Sequence, residues 1–161
     1  MVVALLRSAR PSCCFAFGSG VIPPPARRSI NEVVAAAQAR LRRLTPAEAA
    51  QAVRDGATLI DTRDGDVRVR EGTIPGAVHV PLSVLEWRVD PDSGHQSPAL
   101  AGREDRLILI CREGYSSSLA AVRLHDLGFT NTTDVIGGFV AWAAAGLPVT
   151  REPDGEAPRS A

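Results

Sequence analysis

Residues 107–129 read LILICREGYSSSLAAVRLHDLGF. The run Leu107 to Ile110 has no polar face, as a strand covered on both sides requires. Cys111 ends that run. A short polar loop follows, and an amphipathic stretch from Ser116 to Leu127 is stopped by Gly128. Strand, loop and helix in this order are the repeating unit of a parallel α/β sheet. Ligands in such sheets sit beyond the carboxyl ends of the strands, and Cys111 stands at such an end.

The flanking sequence extends the pattern. Residues 29–44, SINEVVAAAQARLRRL, predict a leading helix with Ser29 as a cap. In TPAE, Thr45 caps a second helix, Pro46 takes the first helical position and Glu48 completes a capping box; Gly56 closes that helix. Strands are expected at 57–63, 77–81, 106–110 and 133–138, with a polar loop after Arg63, one helical turn at 83–87, and a last helix at 138–146 before Pro148. The expected fold is a single α/β domain with a mostly parallel sheet covered by helices on both faces. Its expected bounds are 29–150, with the leading helix at 29–44 and the core at 45–150. Residues 1–28, rich in Pro, Gly, Ser and Arg, are expected to be a disordered extension, and 151–161 a flexible tail.

Composition narrows the function. The 161 residues carry 18 basic and 18 acidic side chains, so no net field draws the chain to nucleic acid or anionic lipid. No apolar run approaches the roughly 20 residues of a membrane span. The first 20 residues have a faint leader-like character, but Arg7 and Arg10 interrupt the apolar block. Cys13 and Cys14 are adjacent in the extension and Cys111 stands alone, with no spacing suited to zinc, so no metal and no organic cofactor is expected. A reducing cytoplasm fits best.

Cys111 admits two readings. A free cysteine is often simply a small buried residue at a strand end. A free thiol has a pKa of about 8.5, and only a few per cent is ionised at neutral pH. The loop Cys111-Arg112-Glu113-Gly114-Tyr115-Ser116 enters a helix whose first N–H groups lack intrahelical partners. Curled around the sulfur, those groups favour an anion; Gly114 permits the curl and Arg112 adds a cation. A shift of about two units, on the order of 2.7 kcal/mol, ionises most of the thiol without a histidine base. Ser116 and Ser117 can donate to the sulfur, whereas Ser117 or Ser118 can equally serve as helix caps. Tyr115 either lines the pocket or faces solvent.

Four motifs, in order, carry a resemblance: LIDTR (59–63), GTIPGAVHVP (72–81), CREGYSS (111–117) and VIGGFVAWAAAGLPV (135–149). Together they resemble the rhodanese-like family, specifically its single-domain sulfurtransferases, over Leu44 to Val149. The resemblance implies that the Cys111 thiolate takes the outer sulfur of a donor such as thiosulfate. It then passes that sulfur from a persulfide to a thiophilic acceptor, cyanide or a thiol or dithiol protein. It assigns substrate binding to Arg112, Glu113, Gly114, Tyr115, Ser116 and Ser117. Thr73 stands where the family has histidine, and Ser116 where many members have arginine.

Other readings compete. Phosphatases and arsenate reductases of this fold class use a Cys-x5-Arg loop, but the sixth residue after Cys111 is Ser117. A non-catalytic interaction module of the same fold is the alternative from another class; such modules commonly lose the cysteine. Asp61 and Arg63 are possible supporting residues, read foremost as an ion pair holding loops. His79, His95 and His125 fall on a strand, a loop and a helix, which does not suit a metal. Trp87 and Trp142 read as core or pocket wall.

Overall fold

The computed structural model describes residues 26–151. The elements run α1 (Ile30–Ala39), α2 (Pro46–Arg54), β1 (Thr58–Asp61), α3 (Gly65–Glu71), β2 (Val78–His79), α4 (Leu85–Val89), β3 (Leu107–Ile110), α5 (Ser116–Asp126), β4 (Thr132–Asp134) and α6 (Gly138–Ala144). Single 3-10 turns occupy Leu82–Val84 and Pro91–Ser93. The four strands form one sheet in the order β2-β1-β3-β4, and every pairing is parallel.

Side chains alternate across the sheet as the strand period demands. Leu59, Ile108 and Ile110 face Ala49 and Ala50 of α2 and Phe139 and Trp142 of α6. Ile60, Leu107 and Leu109 face Leu85 and Val89 of α4 and Ala120, Ala121 and Leu124 of α5. Every residue of β1 and β3 is buried, as expected for strands with no polar face. The α/β class, the parallel sheet and the helical cover on both faces agree with the sequence reading.

Several boundaries differ from it, and β1 and β2 are shorter than the expected 57–63 and 77–81. The leading helix ends at Ala39, although AQARLRRL is competent to continue. The chain straightens so that Leu44 pairs with the edge of β4: its N–H donates to the Asp134 carbonyl (3.0 Å) and its carbonyl accepts from Ile136 N–H (2.8 Å). Satisfying an open sheet edge outweighs local helix propensity here. The stretch after Arg63 is helical over Gly65–Glu71 and buries none of its residues, so no apolar period marked it. The fourth strand is Thr132–Asp134, and the last helix stops at Ala144. Residues 83–87, expected to form one turn, continue as α4 to Val89. The Thr45 and Ser29 caps form as expected; each hydroxyl accepts the N–H three residues on, and Glu48 and Glu32 return the bond.

Candidate active site

Cys111 leaves the carboxyl end of β3 with 6% of its surface exposed. Gly114, at φ +78°, turns the loop back so that its N–H donates to Sγ at 3.1 Å. Ser117 Oγ lies 3.2 Å from the same sulfur. Burial pushes the thiol up, but the hydroxyls of Ser116 and Ser117 and the N–H groups of Ser117 and Glu113 favour the anion more strongly, and the net shift is downward from the ordinary value. The cradle is therefore suited to a thiolate or to the anionic end of a persulfide.

A second layer holds the loop from behind. The paired glycines at the start of α6 pack directly on it: Phe139 N–H donates to the Cys111 carbonyl (2.8 Å) and Val140 N–H to that of Arg112 (3.0 Å). A Cβ on Gly138 falls 2.5 Å from the Cys111 carbonyl oxygen, so only glycine fits. Asp134, fully buried, accepts from Ser118 Oγ (2.7 Å) and Ser117 Oγ (3.1 Å). Arg43 forks onto the same carboxylate through Nε (2.8 Å) and Nη2 (3.0 Å), and Nη2 also donates to the Gly114 carbonyl (2.9 Å).

This arrangement excludes the cap reading of the serines. Tyr115 occupies the cap position of α5 and makes no side-chain cap bond, while the Ser117 and Ser118 hydroxyls point to Asp134. Tyr115 is 59% exposed. Arg112 is not a free cation beside the sulfur. Its side chain is half exposed and donates to the Glu71 (2.7 Å) and Glu113 (2.6 Å) carboxylates.

Asp61 and Arg63 form a buried forked pair at 2.7 and 3.0 Å, with the Arg63 guanidinium 3.5 Å over the Phe139 ring and bonded to the Gly72 carbonyl (2.9 Å). Arg68 adds a third contact to Asp61 (3.1 Å). Glu71 sits between this pair and the cysteine loop, 3.5 Å from Arg63 and 2.7 Å from Arg112. The pair therefore braces β1, α3 and α6, in keeping with the structural reading. Thr73 pairs through both its N–H and carbonyl with Thr150 at 2.8 Å, which ties the end of the domain to the loop before β2.

Arg43 and Asp134 escaped the sequence reading, as did Glu71. The signal for Asp134 was a carboxylate inside an expected strand, which requires a partner wherever that strand is buried. No short-range pattern names Arg43 as that partner, 91 residues away. Of the two tryptophans expected in the core or a pocket wall, Trp142 is buried and Trp87, 56% exposed, lines a surface cleft. His79 and His125 donate to the carbonyls of Arg63 (2.9 Å) and Thr132 (2.6 Å). Among the described residues no three His, Cys, Asp or Glu side chains gather as a metal site. Two clefts among the described residues, about 570 and 580 Å³, contain no residue of the cysteine loop; one opens at the amino ends of the strands and the other around Trp87. Cys13 and Cys14 lie outside the described residues.

Known proteins resemble this chain in sequence and in fold. A thiosulfate sulfurtransferase, GlpE, of Haemophilus influenzae is 32% identical over 108 residues, spanning 67% of this chain and 93% of the relative. Thiosulfate sulfurtransferase 16, chloroplastic, of Arabidopsis thaliana is 36% identical over 90 residues, 52% of this chain and 75% of the relative. Among solved structures, a protein of unknown function from Rhodopseudomonas palustris, described as a possible tyrosine phosphatase, superposes with a TM-score of 0.70 at 29% identity, covering 80% of this chain and 99% of that one. Residues 45–145 match the Rhodanese-like domain, and the chain belongs to that family.

Proposed function

We propose that this protein is a sulfurtransferase in which Cys111 carries sulfane sulfur as a persulfide. The observation that carries the reading is the donor set on Cys111 Sγ: the Gly114 N–H at 3.1 Å and the Ser117 hydroxyl at 3.2 Å, with the thiol held below its ordinary pKa. Relatives named thiosulfate sulfurtransferases support the activity. With thiosulfate as donor, the thiolate attacks the outer sulfur; a new S–S bond forms, the bond to the sulfonate breaks, and sulfite leaves with the electron pair. The terminal sulfur carries the negative charge into the cradle. A nucleophilic acceptor, cyanide or a protein thiolate, then takes that sulfur and regenerates the Cys111 thiolate. Glu113, Gly114 and Ser117 supply N–H groups, Ser116 and Ser117 hydroxyls, and Tyr115 the outer edge. Arg112 serves a donor's anionic end only by exchanging its contacts with Glu71 and Glu113. A reducing compartment such as the cytoplasm suits a free Cys111.

The description of the Rhodopseudomonas palustris protein raises phosphatase chemistry as a second reading. Position 117, where a Cys-x5-Arg loop needs its arginine, holds a buried serine bonded to a carboxylate. That arrangement offers no fork for a phosphate dianion. The donors gathered on Cys111 Sγ favour catalysis over a non-catalytic module of the same fold.

The test is intact-protein mass spectrometry after incubation with thiosulfate, followed by peptide mapping. One added sulfur on Cys111, removed by cyanide, is the expected result. An unmodified Cys111 in folded protein, with thiosulfate and with a low-molecular-weight persulfide alike, overturns the reading.

A further inference from the structure

We infer that Arg43 and Asp134 are positioning residues for the sulfur chemistry of Cys111: their partly buried ion pair governs where the single hydroxyl proton of Ser117 points, and so how firmly the thiolate is held. The inference rests on the reading of Cys111 as the nucleophile. Ser117 Oγ lies 3.2 Å from Sγ and 3.1 Å from Asp134 Oδ2, and one hydroxyl donates to only one of them. With Cys111 as a thiol, S–H donates to Ser117 Oγ and the hydroxyl donates to Asp134. Once the thiol proton has passed to water, both neighbours of Ser117 are anionic acceptors and compete for its proton.

The surroundings of Asp134 allow the exchange. The two Arg43 donors at 2.8 and 3.0 Å satisfy the carboxylate without Ser117, and Ser118 Oγ at 2.7 Å adds a further bond whenever its proton is not on the Gly114 carbonyl at 3.0 Å. Releasing Ser117 to the sulfur therefore strands no unpartnered buried charge. Arg43 acts on the loop a second time by holding the Gly114 carbonyl at 2.9 Å, while the N–H of the same residue faces Sγ. Gln38 of α1 adds a longer contact to that carbonyl (3.4 Å). The other charges around the loop come from its outer side: Arg112 paired with Glu71 and Glu113, and beyond Glu71 the Asp61–Arg63 pair with Arg68. Among the described residues, Asp134 is the carboxylate joined to the sulfur through one hydroxyl. Its charge opposes the thiolate, and that of Arg43 favours it.

The pH dependence of Cys111 alkylation by iodoacetamide, measured on the full chain and located by peptide mapping, tests this. Asp134→Asn keeps the shape and an acceptor but removes the charge, and its midpoint is expected about one pH unit below wild type. Arg43→Gln is expected to move the midpoint upward by a similar amount. Opposite signs separate this role from simple bracing, because a loosened loop moves both variants the same way, toward an ordinary thiol. Should Arg43→Gln fail to fold, the Arg43→Gln/Asp134→Asn double variant buries no lone charge, and its midpoint is expected above that of Asp134→Asn. Shifts of the same sign in the two single variants, an unmoved Asp134→Asn midpoint, or a double variant coincident with Asp134→Asn overturns the inference. No sulfur donor is present in these measurements, so their outcome is separate from that of the persulfide experiment.

Discussion

At Cys111, burial and hydrogen bonding oppose each other, and the hydrogen bonds prevail. The consequence for stability has a definite sign. A thiol whose folded pKa is depressed adds stability that is fully present above its unfolded value, about 8.5, and is lost as pH falls through the folded one. Cys111→Ser is therefore expected to abolish sulfur transfer with a stability change of about 1 kcal/mol or less at neutral pH. Its urea midpoint should fall further behind wild type at pH 9 than at pH 6. Residual transfer in this variant contradicts the persulfide mechanism, and a large loss of stability at neutral pH favours a packing role for the cysteine. Gly138→Ala is the complementary test of the loop. With φ at +59° and a new Cβ 2.5 Å from the Cys111 carbonyl, it is expected to cost about 2 kcal/mol or more in chemical denaturation and to lower transfer activity in the folded fraction.

The elements show how short segments without their own hydrophobic cores reach fixed positions. Helix α2 starts where the Thr45–Glu48 box dictates, and the Glu48 carboxyl is held below its ordinary value by the Thr45 hydroxyl and then by the Thr45 N–H. Stability from that interaction is present above the unfolded glutamate value and is lost as pH falls through the depressed one. Thr45→Ala is expected to cost about 1 kcal/mol at neutral pH, and the gap to wild type in urea midpoint should narrow in acid. An unchanged gap at pH 3 means the carboxylate half of the box contributes nothing. Helix α3 is held differently, by charges: Arg68 reaches Asp61 and Glu71 reaches Arg63 and Arg112, with no buried side chain of its own.

Across the whole molecule, the buried Asp61–Arg63 pair connects β1 to α3 and, through the Phe139 ring, to α6, the helix whose entry glycines hold the cysteine loop. Removing one partner of a buried pair leaves the other uncompensated, so Arg63→Met is expected to lower stability by about 3–5 kcal/mol. The measurement is the urea unfolding free energy; a change below about 1 kcal/mol means that Arg68 and solvent suffice for Asp61. No helix among the described residues is long and apolar enough to cross a membrane.

The sequence by itself determined the class of fold and placed a cysteine, the proposed nucleophile, at a strand end. Both rest on short-range information: apolar runs such as LILI, the TPAE box, and a cysteine at a strand end followed by glycine and serines. It did not determine where the leading helix ends, because Leu44 leaves the helix to pair with the edge of β4, a contact set by the sheet. The helical state of residues 65–71 also escaped it, since that helix depends on ion pairs rather than an apolar stripe. Only the tertiary structure decided that Arg43 and Asp134 meet behind the cysteine, and that Ser117 and Ser118 serve a carboxylate instead of capping α5. The reason is physical: a buried charge must find its counterpart wherever the chain topology brings one, and that partner carries no signature in its own neighbourhood of the sequence.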